Sequence, residues 1–369
     1  MKTLFIFGTR PEAIKLAPLI LKYKKHYPSS TFVCVSAQHR QLLDQVLTFF
    51  SIQPDFDLNL MKPNQTLSEL TANIISALTP VITEVKPDVV FVQGDTTTVF
   101  AGALCAFYNQ TKVVHIEAGL RSGNKYSPFP EEINRELTSK LSDFHFTPTA
   151  LASANLEKEG IKKNIFQVGN TVIDALIIAK EKVYNEDNFY QAFFSNINFS
   201  KKIILVTCHR RESFGEGINN IFSAIREIAL THPDVEIIYP VHPNPNVKLE
   251  AEKQLSDIGN VNLIAPLDYP YLVWLLTKVN IVLTDSGGLQ EEAPTFGKPV
   301  LVLREVTERV EGIEAGTAKL VGNNKTTIVN EVNLLLTNEI KYKEMANAIN
   351  PYGDGLTSQR IFEILEKLI

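Results

Sequence analysis

The chain has 369 residues, 44 % of them hydrophobic and 21 % charged, the balance of an ordinary soluble globular protein with room for two cores. A formal net charge of −5 argues against a general binder of nucleic acid or anionic membranes, while leaving room for a basic pocket that takes a small anion. Three scattered cysteines, Cys34, Cys105 and Cys208, are too few for a disulfide framework or a zinc site and read as small core residues.

The opening "MKTLFIFGTRPEAIK" has only a short apolar run before Arg10, Glu12 and Lys15, which is neither a signal peptide nor a membrane span, so a cytoplasmic protein is expected. From there β-branched runs alternate with helical stretches. "TLFIF", "TFVCVS", "DVVFVQ", "KVVHIE", "FHFTPT" and "IFQVGN" read as strands, and "RPEAIKLAPLILKYKKH" and "HRQLLDQVLTFFS" as helices. After about residue 170 a polar helical stretch interrupts the pattern, which resumes in "KIILVTCH", "EIIYPVH", "VNLIAP", "NIVLTDSG" and "PVLVLR". The tail "NPYGDGLTSQRIFEILEKLI" is a Gly-rich turn followed by an amphipathic helix. Strands alternating with helices imply parallel β-α units covered on both faces. The expected fold is therefore α/β, with two doubly wound domains, 1–170 and 171–352, and a helix at 353–369 packing back on the first.

In such sheets ligands bind at the carboxyl ends of strands, and with two domains the natural place is the cleft between them. The polar clusters of this chain all follow strands. "QGDTTT" puts Asp95 after one apolar run, a carboxylate that the core itself does not need. "FGTRPEAIK" offers exposed N–H groups after Gly8 and a guanidinium, Arg10, for a phosphate; a tight turn with a surface arginine is the lesser alternative. It is not a GxGxxG fingerprint, which disfavours a dinucleotide. "TDSGGLQEEAP" is the strongest anion candidate, since Ser286, Gly287 and Gly288 let backbone approach a ligand at a helix start, with Glu291 or Glu292 placed to accept from a ribose diol. "VTCHRRESFG" ends a strand in His209, Arg210 and Arg211, charge of the sign a diphosphate needs. "HIEAGLRS" and "PFPEEINRE" bring His115, Glu117, Arg121, Glu131 and Glu132 to the face of Asp95. His115 and Glu117 could share a strand face as metal ligands do, but no third ligand stands at a telling spacing; acid–base work on a sugar, or salt bridges to Arg121 and Arg135, fit better. "VHPNPNV" adds His242 at a further strand end.

Together these blocks resemble, nearly end to end and in order, the non-hydrolysing UDP-N-acetylglucosamine 2-epimerases of bacteria, built on the two-domain, Rossmann-like glycosyltransferase-B type of fold. The resemblance implies an isomerase that interconverts UDP-GlcNAc and UDP-ManNAc through a bound 2-acetamidoglucal, with no cofactor and no metal. It implies a homodimer with a nucleotide sugar as partner, no nucleic acid and no membrane. Asp95, Glu117, Glu131 and His209 match its catalytic positions, and Arg10, Lys15, Ser286, Gly287, Gly288 and Glu292 its substrate-binding ones. Gln38, His39, Gln41 and His242 match positions for a second, activating UDP-GlcNAc. The chain departs from the family at three places. Asn64 stands where an arginine of that activating site is common, "DYPYLVW" offers Tyr271 or Leu272 to the uracil, and Val310 replaces a proline. A hydrolysing epimerase, a sugar transferase of the same architecture and a non-catalytic nucleotide-sugar sensor are the competing readings.

Overall fold

A computed structural model of the chain describes residues 1–37, 40–62, 64–210 and 215–369. They form two compact units, Met1–Ile178 with Tyr352–Ile369, and Ala179–Pro351. The passage from one to the other falls inside the helix Thr171–Asn185.

The first unit is built on strands β1 (Thr3–Phe7), β2 (Thr31–Val35), β3 (Phe56–Asp57), β4 (Val89–Gln93), β5 (Lys112–Ile116), β6 (Phe144–Thr147) and β7 (Ile165–Gln167). They make one parallel sheet in the order β3-β2-β1-β4-β5-β6-β7. β1 and β4 are buried along their whole length, which is why they read as continuous apolar runs rather than alternating ones. The helix Leu67–Val85 shows how the faces are covered: Thr66 and Glu69 close its first turn as a capping box, and Leu70, Ile74, Leu78, Val81, Ile82 and Val85 form its buried stripe. On the β1 and β4 strands Phe5 and Phe91 stack at 4.3 Å, with Tyr23 edge-on to both, and Phe362 of the last helix lies edge-on to Tyr23 at 5.0 Å. That last helix, Thr357–Leu368, is held at its start by Asp174, whose carboxylate accepts from the amides of Thr357 and Ser358 at 3.2 and 2.7 Å. Burial pushes the Asp174 carboxyl up from its ordinary value, against the pull of those bonds.

The second unit contains β8 (Lys202–Thr207), β9 (Val235–Pro240), β10 (Val261–Ile264), β11 (Ile281–Thr284), β12 (Val300–Val302) and β13 (Ala318–Leu320), again all parallel, in the order β10-β9-β8-β11-β12-β13. Helix Glu216–Thr231 buries Ile218, Ile221, Phe222, Ile225 and Ile228 in one core with Ile328, Val332 and Leu335 of helix Lys325–Thr337. The three cysteines are free thiols, all buried, as their apolar surroundings suggest. Two strands were not visible in the pattern. β3 has two residues, one of them charged, and β13 three around a lysine, so neither carries an apolar run. Among the described residues no helix is long and apolar enough to cross a membrane.

Each sheet reverses its strand order once, between β1 and β4 in the first unit and between β8 and β11 in the second. The chain leaving the two strands at such a point runs to opposite faces of the sheet and opens a crevice at their carboxyl ends. The segments after these four strands are Gly8–Arg10, Gly94–Thr97, Cys208–Arg210 and Asp285–Gly288.

Gly119 fixes the turn after β5. Its φ is +87°, and a Cβ there would lie 2.1 Å from the carbonyl oxygen of Ala152. Gly119→Ala is therefore expected to destabilise the protein by about 1–3 kcal/mol from the left-handed backbone alone, with the clash in addition. Urea denaturation checks this, and an unchanged midpoint would refute it.

Candidate active site

At the first reversal the helix Arg10–His26 begins directly behind β1, with Pro11 suited to its first turn. Arg10 is half-buried and makes no hydrogen bond or ion pair with a described residue. Glu12, one turn in, is buried and turns back: it accepts from the amides of Gly8 at 3.1 Å and Thr9 at 2.7 Å, and from the Thr96 hydroxyl at 2.8 Å. It thereby ties the loop after β1 to the loop after β4, which carries Asp95. Burial pushes the Glu12 carboxyl up to about 7, although every one of its hydrogen bonds pulls the other way.

Glu117 follows β5 at φ +61°, a conformation costly for a residue with a Cβ. It is buried, and three side chains donate to it there. Lys15 Nζ reaches its two oxygens at 2.6 and 2.7 Å, Asn170 Nδ2 donates at 2.8 Å and Gln93 Nε2 also donates. Lys15 and Glu117, 102 positions apart, thus form one ion pair. Asp95 is gripped by Arg135, whose Nε donates at 3.1 Å and whose Nη2 donates as well; Arg135 Nη1 reaches Glu132 at 3.0 Å. Glu132, fully buried, also accepts from the amides of Ser122 and Gly123, both at 2.9 Å. Its neighbour Glu131, the first residue of helix Glu131–Leu141, is half-buried and makes no hydrogen bond or ion pair with a described residue. Adjacent acids in "PFPEE" therefore differ in kind: one is consumed by the fold, and the other is open to an incoming group.

His115 and Glu117 do not share a strand face as metal ligands would. Glu117 lies beyond the strand, and His115 Nε2 donates to the Gly94 carbonyl at 2.8 Å. Burial lowers His115 to about 3, so the ring is neutral. Arg121 is spent on Glu159, at 2.6 and 2.8 Å, rather than on the catalytic candidates.

At the second reversal β8 and β11 end side by side, with the Thr207 and Thr284 hydroxyls 2.6 Å apart. His209 follows β8, its Nδ1 3.1 Å from Oδ1 of the fully buried Asp285. The His242 ring, from the segment after β9, stacks on His209 with centroids 5.3 Å apart and planes 12° from parallel. Ser286, Gly287 and Gly288 follow β11, with Gly288 exposed. The helix they open, Gly287–Glu292, has only six residues, so Glu291 and Glu292 stand at its far end instead of its start. Glu291 is buried and accepts from Arg309 Nε at 2.7 Å, whereas Glu292 is half-buried. Tyr271 is half-buried among Phe193 and Tyr190, ring centroids 4.5 and 5.2 Å away, with Leu272 next to it on helix Tyr269–Lys278. Val310 begins helix Val310–Glu314, a position where proline is also accommodated.

The family model "UDP-N-acetylglucosamine 2-epimerase" matches residues 22–366. Similar proteins include the UDP-N-acetylglucosamine 2-epimerases of Escherichia coli K12, 52 % identical over 99 % of this chain and 98 % of that one, and of Bacillus subtilis, 52 % identical over 99 % and 95 %. The crystal structure of the Neisseria meningitidis UDP-GlcNAc 2-epimerase bound to UDP-GlcNAc superposes with a TM-score of 0.91, at 51 % identity and full coverage of both chains. The chain belongs to the UDP-N-acetylglucosamine 2-epimerase family. Its two parallel sheets are those expected of the glycosyltransferase-B type, and as a family member it is an enzyme of the isomerase class.

Of the residues that resemble the epimerase positions, the fold brings Lys15 against Glu117, sets Asp95 and Arg10 at the β1/β4 reversal, and puts His209 and Ser286–Gly288 at the β8/β11 reversal. His242, matched to the activating site, is in contact with His209. Gln41 is exposed on helix Arg40–Phe49 of the first unit, beside Arg40, which pairs with Asp57 at 2.6 Å. Gln38, His39 and Arg211 lie outside the described residues. Asn64 is exposed at φ +58°, which asparagine tolerates better than most residues. Sequence reasoning missed Glu12, Gln93, Asn170 and Asp285. Gln93 and Asp285 were within reach, as polar residues at the carboxyl end of an apolar strand; Glu12 reads only as a helix-start acid.

Glu12 generates a prediction about pH. Its carboxyl is held near 7 in the fold against an ordinary 4.5, so the folded state binds the extra proton and its stabilising contribution is full below about 4.5 and lost as pH rises through about 7. The effect is on the order of 3 kcal/mol. Glu12→Gln keeps an oxygen for the Gly8 and Thr9 amides and offers its NH₂ to Thr96. Relative to the parent, it is expected to gain stability between pH 5 and pH 8 in urea titrations. Parallel pH profiles for the two proteins would contradict it.

Proposed function

We propose that this protein interconverts UDP-GlcNAc and UDP-ManNAc by inverting carbon 2 of the sugar, without net hydrolysis. The observation that carries the reading is the division of chemistry between the two strand-order reversals. The first presents carboxylates with Lys15 and Arg135, and the second presents His209, Arg210 and a Ser-Gly-Gly turn. Family membership supports it independently.

The chemistry follows from the substrate. The hydrogen on carbon 2 is not adjacent to a carbonyl, so departure of UDP leads: the bond from carbon 1 to oxygen breaks with its electrons going to the diphosphate, and carbon 1 gains oxocarbenium character. A carboxylate then takes the carbon 2 proton, and the electron pair closes the double bond of 2-acetamidoglucal. A proton delivered to the other face, with return of UDP to carbon 1, completes the inversion. Arg10, His209 and the Ser286–Gly288 backbone stabilise the departing diphosphate. Two proton deliveries to opposite faces need more than one acid. Asp95, Glu117 and Glu131 are the candidates, and their surroundings separate them: Glu117 takes bonds from three side chains, Asp95 from one arginine, and Glu131 from none of the described residues. The reading includes the homodimer, the cytoplasmic location and the supply of ManNAc to surface polysaccharide that the family resemblance implies.

Proton NMR of the protein with UDP-GlcNAc in D₂O, without metal or NAD, is the test. UDP-ManNAc carrying deuterium at carbon 2 is expected. Accumulation of free UDP and ManNAc would indicate a hydrolysing epimerase, and an unchanged spectrum would leave a transferase or a sensor. Asp95→Asn and His209→Ala are each expected to lower turnover by about 10²–10³, or 2.7–4 kcal/mol, while remaining folded. Near-parental turnover in either would remove that residue from the mechanism.

A further inference from the structure

Asp285 has no exposed surface and sits at the end of β11. A carboxylate buried this deeply is costly unless donors surround it. One oxygen, Oδ2, accepts from the backbone amides of His209 at 2.6 Å and Arg210 at 2.7 Å. The other, Oδ1, is buried, has no hydrogen-bond partner among the described residues and lies 3.1 Å from His209 Nδ1. Asp285 thus holds the backbone that carries His209 and lies against the inner edge of its ring. A carboxylate oxygen can only accept and repels a lone pair, so a proton on Nδ1 is what makes this approach favourable. Nε2 is then left on the opposite edge of a side chain that is 41 % exposed.

The other groups around the ring do not compete for this role. The Cys208 thiol is pushed well up by burial and by the Asp285 charge, and so carries no charge. Tyr239 is raised by burial too, and its hydroxyl donates to the Cys208 carbonyl at 2.8 Å. Arg210 donates its Nε to the Asp285 carbonyl at 3.1 Å. His242, the stacked partner, accepts the Asn244 amide on Nδ1 at 3.1 Å, which puts its own proton on Nε2. It is lowered by burial and by the neighbouring His209. The Nδ1 atoms of the two parallel rings therefore face opposite kinds of group, a carboxylate oxygen at His209 and an amide N–H at His242. Among the described residues Asp285 is the carboxylate that faces His209, and its own carboxyl stays below the ordinary value: burial raises it, but His209 and the two amides outweigh that.

We propose that Asp285 is the positioning residue of this site, fixing the plane of His209 and keeping a proton on its Nδ1, so that Nε2 can take a second proton and the ring meets the leaving diphosphate as an imidazolium. The inference rests on the proposed function for what Nε2 meets, but not for the tautomer. Asparagine at this position separates positioning from mere support. Its carbonyl oxygen can keep both amide bonds of the 208–210 turn, while its NH₂ replaces an acceptor by a donor opposite Nδ1. The ring must then keep its proton on Nε2 alone, with Nδ1 as the acceptor, so it cannot meet the diphosphate as an imidazolium.

The experiment compares the full-length parent and Asp285→Asn, labelled with ¹⁵N-histidine, by long-range imidazole correlation NMR without ligand. A His209→Gln sample assigns the signal, and circular dichroism follows folding. The parent is expected to show His209 protonated on Nδ1 and the variant on Nε2, with kcat for UDP-GlcNAc epimerisation down by about 10² or more and KM moved far less. Either an unchanged tautomer in the folded variant or a switched tautomer with parental kcat would overturn the proposal. If Asp285→Asn does not fold, the parent spectrum still decides, because an Nδ1 without a proton there also overturns it. A parent that shows the Nδ1 proton but epimerises neither sugar nucleotide would refute the proposed function, not the positioning.

Discussion

Every polar group of interest in this chain depends on one property of parallel sheets: a sheet that grows outward from its middle in both directions has a point where its strand order reverses. At that point the two following segments leave for opposite faces, and the last amides and carbonyls of the strands face no neighbour. Each unit has one such point, at β1/β4 and at β8/β11. Apolar pressure forms the sheets, because strands covered on both faces must be apolar throughout. Polarity is confined to the ends, and it accumulates at the reversals because space and unsatisfied backbone are available there.

Buried acids keep these ends in place. Glu12 accepts from two amides and a hydroxyl, Glu132 from two amides and Arg135, Asp174 from two amides and a hydroxyl, and Asp285 from two amides beside an imidazole. In each case one side chain satisfies backbone donors that would otherwise be orphaned in a loop or at a helix start. Hydrogen bonds to charged groups contribute about 1.5–3 kcal/mol each, which offsets part of the cost of burying a carboxylate. The outcomes still differ. Asp285 stays below its ordinary value because an imidazole faces it, whereas Glu12, with neutral donors only, is driven up.

The same arithmetic divides the acids of the first unit. Glu132 and Glu117 are saturated by donors, and rearranging either would break several bonds at once. Asp95 and Glu131 keep partial exposure and fewer commitments. A group that must exchange a proton with a ligand belongs to the second kind, and a group that holds a charge in a fixed place belongs to the first.

Periodicity and composition determined the α/β class, the succession of strands and helices, and the carboxyl-end location of Asp95, Glu117, His209 and Ser286, because burial on both faces leaves a mark on every residue of a strand. They did not reveal β3 or β13, whose two and three residues are too short to leave one. Only the tertiary structure decided which acids are open and which are consumed. Glu131 and Glu132 are neighbours of identical chemistry, and what separates them is that the amides of Ser122 and Gly123 reach only one. Nor does anything local pair Lys15 with Glu117 or His209 with Asp285, since those contacts span 102 and 76 positions. Hydrogen bonds act over about 3 Å, and the distances that matter are set by strand order, which one-dimensional patterns do not record.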